Sequence, residues 1–138
     1  MSQQDLINLA RENVEAFNAG DWQRLKAALA PDVIYDEVGS QRRLQGADQF
    51  VEAYQGWKLA GPDCKGTISN ALASGNTVVI EVHWTGTQTG PFGAIPPSGK
   101  SWSVRGAQVI AVDGDRIKEL RQYFDMTTIL QQIGAVPR

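Results

Sequence analysis

Three β-rich runs in the C-terminal half constrain this chain most: "NTVVIEVHWTGTQ" from Asn76, "KSWSVRGAQVIAV" from Lys100 and "DRIKELRQYF" from Asp115. The last two are joined by "DGD", a strong hairpin signal because glycine accepts the positive φ that a tight turn demands. Antiparallel pairing is the expectation. The N-terminal half reads differently. Ser2 with Asp5 resembles a capping box, and Ile7, Ala10, Val14 and Phe17 recur at helical spacing up to Gly20. Asp21 can cap a second helix through Trp22, Leu25 and Leu29, which Pro31 should stop. "DVIYDEV" reads as a short strand, and Gly46 to Trp57 as a third helix. "AGPDCKG" turns the chain back, and Met126 to Ile133 supplies a fourth, short helix ended by Gly134.

Helices followed by a run of strands imply an α+β fold in which a curved antiparallel sheet packs its concave face on the N-terminal helices and encloses a pocket. With 138 residues, no internal repeat and no long linker, one domain spanning 1–138 is expected. A charged fraction of 20% and a net charge of −2 give nothing to attract a phosphate backbone, so nucleic acid is not an expected partner. No run reaches the roughly 18 apolar residues of a membrane span. One cysteine, Cys64, cannot form an internal disulfide, and the polar start "MSQQD" is unlike a secretory signal. A cytoplasmic protein is the expectation. There is no P-loop, GxGxxG, paired-cysteine or His-rich spacing, so neither a nucleotide cofactor nor a metal is expected.

Candidate site residues follow from strand parity and aromatic supply. Val78, Ile80, Val82 and Trp84 share the apolar face of their strand and carry Gln88 inward, which leaves His83 on the opposite face. By the same rule Ile34, Asp36 and Val38 share a face, placing Asp36 in the cavity with Tyr35 turned away. Arg105, or alternatively Arg121, is the cation to pair with a cavity carboxylate. Trp84 and Trp102 flank the Gly/Pro-rich insertion Gly90–Lys100, a loop long enough to form a lip over a pocket. With Tyr54, Trp57 and Phe92 they would suit a flat apolar ligand. Asp125 stands where the last strand gives way to the last helix, a position that fits either a helix cap or an acid/base group at a pocket mouth.

"HWTGTQTGPFGAIPPSGK", "DGDRIKEL" and "YFDMTTILQQIG", together with "FNAGDWQRLKAALAPDVIYD" and "GADQFVEAY", resemble a SnoaL-like polyketide cyclase of the nuclear transport factor 2-like superfamily. The resemblance implies a cone-shaped bent sheet around a hydrophobic pocket, a homodimer, and intramolecular aldol closure of a small hydrophobic carbonyl compound without cofactor. Asp125 matches the aspartate that serves there as base and then as acid. In place of the family's usual "GTHTG" the chain has "GTQTG", so Gln88 could orient a carbonyl but not move a proton. Two alternatives stay open. One is a catalytically silent ligand-binding domain. The other is epoxide hydrolysis by Asp36, Arg105 and Asp125 acting together.

Overall fold

The computed structural model describes residues 1–137. Ser2 accepts from the Asp5 backbone N–H, and the Asp5 carboxylate accepts from the Ser2 N–H, so the reciprocal capping box starts α1 (Gln3–Ala19). Asp21 caps α2 (Trp22–Ala27) by accepting from the Arg24 N–H. The second helix is shorter than its apolar spacing suggested. Leu29 and Pro31 already belong to β1 (Leu29–Glu37), because burying Leu29 against the sheet outweighs one more helical turn. A 3-10 turn at Val38–Ser40 leads to β2 (Arg42–Gln45), and α3 (Ala47–Ala60) follows.

The strands β3 (Lys65–Ser74), β4 (Thr77–Thr87), β5 (Ser101–Asp113) and β6 (Arg116–Tyr123) then run as a meander into α4 (Met126–Gln132). Gly114, at φ 61°, makes the β5–β6 hairpin that "DGD" announced. Neither β2 nor β3 was expected from the sequence. "KGTISNALAS" is poor in large β-branched side chains, and "RRLQ" is four residues of mostly exposed strand held by pairing with β1.

The strands form one curved, unclosed six-stranded sheet in the order β2-β1-β6-β5-β4-β3. β1 lies parallel to β6, and the other pairings are antiparallel. This α+β architecture brings the first strand beside the last. α1 crosses β3 and β4, α3 packs on β1, and α4 closes on β5. One core fills the space between, from Leu6, Val14 and Phe17 through Phe50 and Tyr54 to Ile80, Ile110 and Leu120. No helix of the described residues is long and apolar enough to cross a membrane.

Candidate functional site

Burial along β1 alternates so that Val33, Tyr35 and Glu37 point inward. This reverses the expected parity. Asp36 faces the other side, half-exposed, where Arg43 pairs with it at 3.2 Å across β2. Alternation sorts a strand into two faces but does not say which is inner. Here the Tyr35 ring decides, packing 5.0 Å from Phe50 and 5.7 Å from Tyr54.

The carboxylate that is buried is therefore Glu37, whose side chain is 2% exposed. Its Oε2 accepts from the Tyr35 hydroxyl at 2.5 Å and from the Trp57 indole N–H at 3.0 Å. Its Oε1 accepts from Ser40 at 2.6 Å, and Arg42 donates to both oxygens at 3.1 and 3.2 Å. A buried charge is tolerated only when paired and hydrogen-bonded, and this one is both. Burial, with the Glu37 charge adding to it, pushes the Tyr35 hydroxyl well above its usual range, so it stays protonated and donates.

Between the sheet and the helices lies an aromatic cavity. Phe17, Tyr35, Tyr54, Trp57, Trp84, Trp102 and Phe124 supply its rings, and Cys64, Val104, Gln122 and Ile129 complete it. Only about 30 Å³ of the cavity is wide enough for the centre of a water molecule. Two tryptophans stand over glycines. Gly66 is the cross-strand partner of Trp84 and Gly86 that of Trp102, and each lies under its indole, where a Cβ would collide. Only glycine lets these rings lie flat against the sheet. Two polar atoms of the lining have no partner in the protein, the Trp84 Nε1 and the Gln122 Oε1.

Outside this cavity runs a groove lined by Glu37, Arg42, Leu59, Phe92, Gly93 and Met126. Trp57 borders both spaces. Its ring meets Phe92 at 4.9 Å, Phe124 at 5.8 Å and Trp102 at 6.1 Å, all edge to face.

Of the residues singled out by sequence, Tyr54, Trp57, Trp84 and Trp102 come together in the cavity, and Phe92 covers Trp57 from the groove. Gln88 is fully buried but does not line the cavity. It donates to the Pro96 carbonyl at 3.1 Å, and its backbone bonds Lys100 and Gly99, so it ties down the Gly/Pro loop. Arg105 is exposed on the outer face, opposite His83, whose ring bonds Ser103 there. Asp125 is exposed and caps α4. Oδ1 accepts from the Thr127 and Thr128 N–H groups at 3.0 and 3.4 Å, and Oδ2 from the Thr128 hydroxyl at 2.9 Å. Its neighbours Phe124 and Met126 line the cavity and the groove respectively. Asp36, Arg105 and Asp125 thus do not converge, because two lie on the outer sheet face and the third on a helix end. The three-residue site that epoxide hydrolysis needs is absent.

Sequence reasoning missed Glu37, Tyr35, Phe17, Gln122 and Cys64 as site residues. The adjacent pair in "YDEV" was the available signal for Glu37, but parity assigned inward the wrong member. Among the described residues, no group of three or more His, Cys, Asp or Glu side chains could hold a metal ion.

A sequence description of the SnoaL-like polyketide cyclase family matches residues 7–133. No curated protein matches the chain. Several solved structures share the fold. A protein of Jannaschia Sp. CCS1, provisionally named a SnoaL-like polyketide cyclase, superposes with a TM-score of 0.89 at 20% identity, covering 98% of this chain and 95% of that one. IdmH of Streptomyces antibioticus, provisionally named a polyketide cyclase, gives 0.80 at 24% identity over 92% and 96% of the two chains. AclR of Streptomyces galilaeus, provisionally named a hydroxylase, gives 0.86 at 22% identity over 99% and 85%.

Proposed function

Starting from the fact that this chain belongs to the SnoaL-like polyketide cyclase family, we propose that it is a cofactor-independent acid/base enzyme that closes a ring in a small hydrophobic carbonyl compound by intramolecular aldol addition. The observation that carries this reading is the cavity: aromatic on most sides, with an unpaired N–H on Trp84 and an unpaired amide oxygen on Gln122. Buried polar atoms without partners are costly, and a ligand offering an acceptor and a donor would relieve both. Trp84 N–H would then donate to the carbonyl oxygen as enolate charge develops on it.

Asp125 is the base in this proposal. It removes the proton from the carbon activated by neighbouring carbonyls, the enolate carbon attacks the second carbonyl, and Asp125 returns the proton to the resulting alkoxide. A carboxylate offers about four acceptor positions, and capping α4 uses three, which leaves one to take a proton. Asp125 itself lines neither space, while the residues before and after it, Phe124 and Met126, line the cavity and the groove. The homodimer, formed through the outer face of the sheet where Leu72 is exposed, and the cytoplasmic location belong to the same proposal.

A silent ligand-binding domain is the second reading, favoured by the same turning of Asp125 onto α4. Deuterium uptake at the carbon between the carbonyls of an aryl β-keto ester, followed by NMR, separates the two. Acceleration by the wild type that is lost in Asp125→Asn supports the base, since asparagine caps a helix as well as aspartate does. Equal acceleration by both proteins removes Asp125 from the chemistry. Saturable ester binding with no acceleration makes the chain a binding domain.

A further inference from the structure

The inner cavity has width for a water or two, about 30 Å³, whereas the outer groove has about 470 Å³ by the same measure. A ligand of several carbons can therefore rest in the groove as the protein stands, but reaches the cavity only if a wall moves. Trp57 is the side chain that, together with Glu37 behind it, separates the two spaces. It is half-buried and comes from one face of α3. Its other ring contacts, to Phe92, Phe124 and Trp102, are edge-to-face, and one hydrogen bond holds it, the N–H donated to Glu37.

Glu37 in turn is held from three further sides. Tyr35, Ser40 and Arg42 come from the same strand, the following turn and β2, so the acceptor is fixed while the indole is not. Over Trp57 lies Phe92, carried on the Gly/Pro loop that Gln88 anchors at Pro96 and Gly99.

We propose that Glu37 is a positioning residue that, through its bond to Trp57, sets how large a molecule passes from the groove into the aromatic cavity. The inference rests on the reading of that cavity as the ligand site. Swinging the indole outward breaks that hydrogen bond together with the edge-to-face contacts to Phe124 and Trp102, and opens the cavity to the groove. Molecules of one or two atoms do not need this motion, and ring compounds do.

Cys64 is the reporter, being the one cysteine of the chain, 3% exposed and part of the cavity lining. Its thiolate attacks 4,4′-dithiodipyridine, forming the mixed disulfide and releasing 4-thiopyridine, which is read by absorbance. Trp57→Phe, which keeps a ring but lacks the N–H, is expected to speed this reaction about tenfold, the factor for loss of one hydrogen bond of ordinary strength. Hydrogen peroxide, a reagent of two heavy atoms that oxidises the thiolate to sulfenic acid and is itself reduced to hydroxide, should gain much less. Phe92→Ala should act in the same direction. Because the phenyl ring is also smaller, Glu37→Leu, which removes the acceptor, and the double variant complete a cycle. If the bond is the latch, the double variant labels no faster than Trp57→Phe alone.

Ile117→Val, in the core but outside the cavity lining, controls for general loosening and should label at the wild-type rate. Equal rates for wild type and Trp57→Phe, equal gains for both reagents, or an equal gain in Ile117→Val each overturn the proposal. No substrate enters this test, so its failure leaves the acid/base reading standing, and loss of that reading leaves the latch to be judged on labelling alone.

Discussion

Trp84 and Gly66 stand opposite each other on β4 and β3, and the indole lies so close over the glycine that a Cβ placed there would come within 2.6 Å of its Cζ3. The glycine cannot retreat. Asn18 of α1 holds its backbone, accepting from its N–H at 2.8 Å and donating to its carbonyl at 2.9 Å.

Gly66→Ala should therefore push Trp84 into the cavity and cost about 2 kcal/mol, in the range for overpacked cores. Urea unfolding followed by tryptophan fluorescence measures this. Gly75→Ala, where nothing lies within 4 Å but φ is 59°, should cost only the smaller penalty of a strained turn, roughly 1 kcal/mol.

Removing Glu37 strands four donors. Glu37→Ala should lose about 2–3 kcal/mol, chiefly from the buried Tyr35 donor it strands, since Arg42 is 44% exposed and turns to water. Arg42→Ala should lose about 3–5 kcal/mol, because it leaves the 2% exposed carboxylate without its cation. A smaller loss in Arg42→Ala than in Glu37→Ala would mean that Tyr35, Ser40 and Trp57 suffice to hold the carboxylate.

The cap role of Asp125 has its own signature. Asp125→Ala should destabilise by about 1 kcal/mol, and Asp125→Asn by no more than a few tenths, since both acidic and amide side chains cap well. Thermal unfolding of the three proteins reads the difference. A large loss in Asp125→Asn would show that the charge itself, and not the cap geometry, is structural.

Burial pushes the Cys64 thiol up to about 12, far above an ordinary cysteine near 8.5. The folded state thus holds its proton more tightly than the unfolded chain. That contribution is fully present below about pH 8.5 and is lost as pH rises toward 12. Between pH 8 and pH 10 the wild type should lose about 2 kcal/mol that Cys64→Ala does not lose, each pH unit being worth about 1.4 kcal/mol. Urea titrations at the two pH values test it, and parallel losses in both proteins would assign the alkaline effect to other groups.

Much of the site was legible in the sequence where residues announce their own surroundings. The alternation Val78, Ile80, Val82, Trp84 set the inner face of β4 correctly, because the opposite face carries Glu81 and His83. The hairpin at Gly114, the cap at Asp21 and the ends of α1 were likewise local, each fixed by residues within a turn of one another. On β1 the two faces are nearly balanced, Val33, Tyr35 and Glu37 against Ile34 and Asp36, and local pattern could not choose.

What the sequence determined by itself was thus the α+β class, the four helices, the strands β1, β4, β5 and β6, and the cavity rings Tyr54, Trp57, Trp84 and Trp102, since these depend on periodicity and on turn and cap chemistry within short reach. Tertiary structure alone decided which carboxylate is buried. Parallel pairing of β1 with β6 and the packing of α3 turn Tyr35 and Glu37 inward together, and Trp57, twenty residues from Glu37, supplies one of the bonds that make the buried charge tolerable. A buried charge is stabilised by partners distant in sequence, and such partners are defined only when the chain has folded.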